Sequence, residues 1–463
     1  MTEKTEIYLD QNWQQIQPQR SVTPDTFAQG SILFNFNVSG LNSISMKDSY
    51  FVIESSLVRG NSTNTTLNPL AITDRTTYAH NWTGALFTNV SVRVSGQEIS
   101  ACNQYNHLAH TVKMRQMVEE NLLNTNMRDM MDYDIDFTRR LNRHITGGAR
   151  EDGLTERSNG AETPIRSGDL KRQTFYQPVN LGVFDLGHGS LCGDISIVLN
   201  PNPNFQTACV ESAFVYNNDF VPAVPGTATT ANHPRDYKFI IHSITFMGCY
   251  AKATKPIDNT KTFTIHEYSV MNKPYAPQLE FQVLPSTEQI TVFIQDQFAG
   301  NNTTVPATSF KVSQFTEAEV ANWVQNYGKQ YSADEQGAVQ VTLGAITKPP
   351  IMLQPQKNLP GYPNQMIRWA MSHQYLDGQK SLWERYNDWC ASPYFCFDFM
   401  RDSSDTSGFV TVRSIYDFSG YGVANLTWSG GISPYLFCCS KYSKIIKISY
   451  NSGYVTDIQM QNT

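Results

Sequence analysis

The stretch NWTGALFTNVSVRVSGQEIS, residues 81–100, leaves its backbone little choice. Val90, Val92 and Val94 alternate with Ser91, Arg93 and Ser95, the period of a strand with one face buried and the other wet. Gly96 permits the positive φ of a tight hairpin turn, and Gln97 to Ser100 start back along the partner strand. Ahead of the valines, Trp82, Leu86 and Phe87 stand four and five residues apart, which suits a short helical turn pressed on the sheet edge. Burying each valine contributes roughly 1.5–3 kcal/mol. A one-residue slip would expose all three, so the register of this hairpin is firmly specified.

The same alternation recurs along the chain. Ile32, Phe34, Phe36 and Val38 alternate with Asn35 and Asn37, and further strands are expected at 50–58, 174–184 and 194–199. Beyond them Ile240, His242, Ile244 and Phe246 alternate, as do Leu279, Phe281 and Val283, and Ile290, Val292 and Ile294. Closing strands are predicted at 394–399, 409–415, 422–428, 435–440 and 443–450. Helical signals are fewer. Leu108, Val112 and Met117 suit a helix within 105–123, and Thr316 with Glu319 forms a capping box ahead of Val320, Trp323, Val324 and Tyr327, with Gly328 as the stop. Further helical stretches are expected at 366–375 and 382–389. With 23 Tyr, 25 Phe, 28 Gly and 22 Pro, strand formers and turn formers dominate, so the chain reads as all-β with short helical insertions.

At 463 residues the chain exceeds one ordinary domain. Residues 1–30 are polar and Gln-rich, carry Pro18 and Pro24, and read as an N-terminal arm. Residues 119–172 form a mixed-charge excursion whose acids and bases roughly balance, as expected of a solvated loop used for contacts. The Pro-, Ala- and Thr-rich segment 220–234 shows no alternation and reads as an interdomain linker. Two sets of roughly eight short strands result, at 31–219 and 235–463. Eight strands in a closed double sheet make a jelly roll, so two consecutive jelly rolls are expected, although no residue-level repeat relates them.

A net charge of −6, with 16% charged residues, argues against strong direct nucleic-acid binding, which needs clustered Lys and Arg. The N-terminus lacks the apolar core of a signal peptide, and no run of 18 apolar residues is present to span a membrane. Synthesis in the cytoplasm is expected. The cysteines, at 102, 192, 209, 249, 390, 396, 438 and 439, show no CxxC pair and read as reduced core thiols. Sequons at Asn37, Asn61, Asn64, Asn81, Asn89, Asn301, Asn302 and Asn425 carry little weight without a secretory signal.

Catalytic constellations are poor. His107 and His110 form H-x-x-H with no third ligand at a diagnostic spacing. Asp398, Asp402 and Asp405 could meet at a calcium site, but a solvated turn explains them better. Gly187, Gly189 and Gly193 precede no Lys-Ser/Thr pair and read as turn glycines. Cys438 and Cys439, vicinal in a strand, point to opposite faces and suit packing. No GxSxG marks a nucleophile. Trp323 with Tyr327, or Trp383 with Trp389, could serve as sugar platforms or as core. No catalytic, cofactor-binding or metal-ligating residue is therefore expected.

The order of motifs resembles the double-jelly-roll major capsid proteins of the adenovirus lineage, particularly those of virophages and of Polinton-like viruses or adintoviruses. The resemblance begins at HNWTGALFTNVSVRVSGQEIS and continues through GVFDLGHGSLCGDISIVLNPNPNF, DYKFIIHSITFMGCYAKA and STEQITVFIQDQFAGN. It ends with YFCFDFMRD and GVANLTWSGGISPYLFCCSKYSKIIKI, and covers most of residues 32–450. It implies a non-enzymatic virion subunit that forms a homotrimeric, pseudo-hexagonal capsomer. That capsomer would meet neighbouring capsomers and minor or penton capsid proteins in an icosahedral shell. The alternatives are a minor or vertex capsid protein, which would carry one roll, and a carbohydrate-binding β-sandwich protein.

Overall fold

The computed structural model describes residues 8–59, 68–69, 76–78, 82–108, 173–177, 179, 181–203, 205, 209–216, 219–222, 237–284, 286–296, 338–349, 394–399, 408–415 and 434–462. The expected helices at 316–328, 366–375 and 382–389, the excursion 119–172 and the strand at 422–428 lie outside these residues. Of the helix expected within 105–123, the described part is one turn, Tyr105–His107. Among the described residues no helix is long and apolar enough to cross a membrane.

The first half contributes β1 (Tyr8–Ile16), β2 (Ile32–Val38), β3 (Asn42–Arg59), β4 (Asn68–Pro69), β5 (Thr76–Tyr78), β6 (Phe87–Val94), β7 (Gln97–Asn103), β8 (Gln173–Gln177), β9 (Gly193–Pro201), β10 (Val210–Tyr216), β11 (Asp219–Pro222) and β12 (Tyr237–Ala253). One sheet runs β1-β12-β3-β8 and the other β2-β9-β6-β7. The second half contributes β13 (Thr260–Pro274), β14 (Gln278–Gln282), β15 (Thr287–Asp296), β16 (Ala338–Leu343), β17 (Ile346–Lys348), β18 (Tyr394–Asp398), β19 (Phe409–Ile415), β20 (Pro434–Asn451) and β21 (Tyr454–Asn462). Its sheets run β13-β20-β15-β18 and β14-β19-β16-β17, with β21 added to β20. Within each half, eight strands numbered in chain order fall into sheets of order 1-8-3-6 and 2-7-4-5, the jelly-roll winding. Both halves have it, so the fold is a double jelly roll.

The hairpin at residues 87–103 forms, but Ser91, expected on the wet face, is buried, and a register shift between Val92 and Arg93 leaves Ile99 as an extra residue in its ladder. Val90, Val92 and Val94 are buried, and Ser95 and Gly96, at φ 48° and 84°, make the turn. All five residues of the 3-10 turn Trp82–Leu86 are buried. Trp82 packs edge-on against Phe175 at 4.8 Å and against Phe239 at 5.0 Å, so the plug ties β8 to β12. Across the two sheets Phe34 meets Phe51 at 5.3 Å, and within one sheet Phe51 meets Phe246 at 5.1 Å.

Six expectations need correction. Residues 1–30 are not simply an arm, because β1 pairs with β12 from Tyr8 to Ile16 as the first strand of the first roll. The loop after it is anchored by buried Val22 and Phe27, and the Arg20 guanidinium donates to the carbonyls of Thr26, Phe27, Gly30 and Ser31. The linker expected at 220–234 starts inside a hairpin, because Asp219–Pro222 pairs with β10. β12, assigned from sequence to the second roll, closes the first by lying between β1 and β3. The junction between the rolls is therefore the short 254–259, which has no compositional signature. The strand expected over 174–184 ends at Gln177, before Pro178, which has no N–H for a ladder; Gly182–Asp185 is a 3-10 turn.

The alternation Ile240, His242, Ile244, Phe246 is interrupted. A bulge between Ile241 and Ser243 shifts the register, so Phe239 and Ile241 share the core face with Ile244 and Phe246. Ile240 falls outside that cluster, and His242 instead bonds Ser56 Oγ at 2.8 Å. Finally, the two strands expected over 435–450 are one strand, β20, and β21 follows it. Buried residues of both rolls form one continuous apolar cluster.

Candidate functional site: the seam between the two rolls

The surface where β7 and the turn Gly182–Asp185 meet β13 and β20 fixes one roll against the other. Its chemistry is mixed. Ile99 of β7 and Ile265 of β13 are fully buried, while polar groups also reach across between the rolls. Lys444 Nζ donates to the Ile99 carbonyl at 2.7 Å, Asn272 Nδ2 donates to Gln104 Oε1 at 2.9 Å, and the Tyr450 hydroxyl donates to the Ser190 carbonyl at 2.8 Å. The backbones also come close at Gly182. A Cβ there would stand 2.2 Å from the His266 carbonyl oxygen, so only glycine fits.

Glu267 is the unusual group of the seam. It is buried, and its Oε1 accepts a hydrogen bond from Ser100 Oγ at 2.5 Å. Among the described residues its Oε2 has no hydrogen-bond partner. Burial pushes its carboxyl from the usual 4.5 up to about 7; the Ser100 hydroxyl, the charge of Lys444 and the backbone at Ala101 oppose that, while Asp185 adds to it. Burial lowers Lys444 in turn, with Glu267 and Glu98 acting against it.

The residues singled out from sequence are scattered. His107 packs its ring against Phe437 at 4.3 Å, a further contact between the rolls; His110 lies outside the described residues. Asp398 ends β18 and offers its carbonyl to Lys348 Nζ, whereas Asp402, Asp405, Trp323, Tyr327, Trp383 and Trp389 lie outside. Gly189 sits in a turn at φ 76°, but Gly193, at φ 108°, opens β9 opposite Val38 and Gly187 is not among the positive-φ glycines, so only Gly189 is a turn glycine. Seven cysteines are free and buried, Cys438 and Cys439 among them, and Cys390 lies outside. Sequence reasoning missed Glu267, Ser100 and Lys444. The only signal was a Glu inside an otherwise apolar strand pattern, which needs the packing partner to be interpreted.

No protein-family model matches the chain, and no curated protein matches it. Solved structures do. A chain of the Sputnik virophage, determined by cryo-electron microscopy, aligns over 100% of this chain and 91% of its own, with TM-score 0.58 and 9% identity. The major capsid protein of mavirus, determined by crystallography, aligns over 100% and 93%, with TM-score 0.54 and 9% identity. The fold is thus the double jelly roll found in viral capsids, as the motif order implied. At such identity what is shared is the winding of the chain rather than its side chains.

Proposed function

We propose that this chain is a viral major capsid protein, a non-enzymatic building block of the virion shell that acts as a homotrimer. The observation that carries the proposal is the tandem of two complete rolls with the same winding, joined by a buried seam. Two similar rolls per chain give a trimer six, the number needed for a pseudo-hexagonal outline. The presence of sixteen roll strands favours this role over that of a vertex protein built on a single roll. Capsomer contacts also need apolar surface on the free chain. Trp13 on β1, Phe409 on β19, and Tyr454 and Met460 on β21 provide it, each more than 40% exposed.

The test is native mass by light scattering across a concentration series, with negative-stain imaging of the same sample. A dilution-resistant species at three times the 52.2 kDa chain mass, hexagonal in outline, is the expected result. A monomer that persists at high concentration would overturn the trimer and make glycan screening the next step.

A further inference from the structure

We infer that the first roll carries a site for a thiophilic divalent cation such as zinc, formed by Asp48, His188 and Cys249. These residues come from β3, from the loop after the turn Gly182–Asp185, and from β12. Their ligand atoms lie within 4.8 Å of one another. His188 Nε2 stands 3.9 Å from Asp48 Oδ2 and 3.9 Å from Cys249 Sγ. Tetrahedral zinc with bonds of 2.0–2.3 Å needs ligand atoms about 3.3–3.7 Å apart, so the two pairs that include His188 would close by a few tenths of an ångström, and Asp48 and Cys249, within 4.8 Å of each other, by up to about 1 Å.

The local backbone is shaped to bring them together. Between Ser45, opposite Cys249, and Tyr50, opposite Met247, β3 takes five steps where β12 takes two. The four intervening residues, three more than the partner strand needs, form a bulge that buries Met46 and turns Asp48 outward. Bulges of this kind re-aim side chains. This one is braced at every residue past Met46: Lys47 N–H donates to the Leu186 carbonyl at 3.1 Å, Trp13 Nε1 donates to the Asp48 carbonyl at 3.2 Å, and Ser49 Oγ donates to the Ser45 carbonyl at 2.6 Å. Cys249 N–H in turn donates to Ser49 Oγ at 2.9 Å, fixing the cysteine against the bulge.

Each outer ligand is also oriented. Ser45 Oγ donates to Asp48 Oδ2 at 2.6 Å, and Gln11 Nε2 donates to Cys249 Sγ at 3.0 Å, which are the partners expected around a ligating carboxylate and thiolate. Gly189 N–H donates to Ser43 Oγ at 3.2 Å and holds the His188 loop on β3. Cys249 is buried, His188 is largely covered, and Asp48 is about half exposed, at 46%. Three ligands are therefore presented on a floor with one side open to solvent, where water would complete the coordination. On binding, the Cys249 Sγ–H proton passes to solvent as the sulfur–metal bond forms and an aqua ligand leaves. The ion would staple β3 and β12 to the loop before β9. This departs from the sequence-based expectation of no metal, because ligands at 48, 188 and 249 have no spacing that sequence could reveal.

The test is Co²⁺ titration of the tag-free full chain followed by absorption. At one equivalent, a thiolate-to-cobalt charge-transfer band in the near ultraviolet and tetrahedral d–d bands in the visible are expected, and added Zn²⁺ should bleach both. Cys249→Ser should lose the charge-transfer band. His188→Gln and Asp48→Asn should weaken Co²⁺ by more than the roughly tenfold loss that follows removal of even an outer partner. Unfolding midpoints without metal should match the wild type for His188→Gln, which separates binding from folding. Absence of the charge-transfer band at one equivalent, or unchanged affinity in His188→Gln, would overturn the site. Neither outcome bears on the capsid role, which the native mass tests separately.

Discussion

At the scale of single residues, Glu267 does most to set how the seam responds to solution conditions. Its folded pKa, about 7, lies above the usual 4.5. The stability associated with it is therefore complete below pH ~4.5 and is lost as pH rises through about 7, on the order of 3 kcal/mol in all. The groups that face it are Ser100, Ala101 and Cys102 from β7, Tyr442 and Lys444 from β20, and Asp185 from the neighbouring turn. Glu267→Gln keeps a hydrogen-bonding partner for Ser100 and removes the titration. We expect the variant to match the wild type in denaturant unfolding at pH 5 and to exceed it at pH 8 by up to that amount. A difference that does not change with pH would show that Glu267 is not the titrating group.

At the scale of elements, alternation located strands well and placed their ends and phases poorly. The hairpin at 87–103 was legible because Val90, Val92, Val94 and Gly96 all demand the same backbone. At β12 the apolar run Phe239, Ile240, Ile241 fits either phase, and only the pairing with β3 reveals that a residue at His242 is extra. β1 was missed for a different reason. Its sequence, YLDQNWQQI, is mostly polar and exposed because it lies at a sheet edge, and edge strands need little apolar content. A chain lacking residues 1–17 should thus lose about 5 °C in thermal midpoint, equivalent to roughly 2 kcal/mol, and aggregate through the uncovered edge of β12. An unchanged midpoint would mean that the segment behaves as the arm its composition suggested.

At the scale of the whole molecule, the seam decides whether two rolls behave as one body. Gly182→Ala forces a methyl group against the His266 carbonyl, and overpacking of this sort costs typically 1–3 kcal/mol. The loss falls on contacts between the rolls rather than on either core, so calorimetry is expected to show one transition for the wild type and two for the variant. A single transition at a lower temperature would place the cost inside one roll. Alternating apolar residues and turn glycines were enough to determine an all-β chain, because side-chain period and turn conformation are local properties; that its strands wind as two jelly rolls was legible from the strand count and from the resemblance carried by the order of the motifs. Tertiary structure alone decided that 237–253 closes the first roll, that Glu267 meets Ser100 across the seam, and that Asp48, His188 and Cys249 converge. Each of those depends on strands that are distant in sequence lying side by side, and hydrogen-bond pairing across such distances leaves no mark on the spacing of residues along the chain.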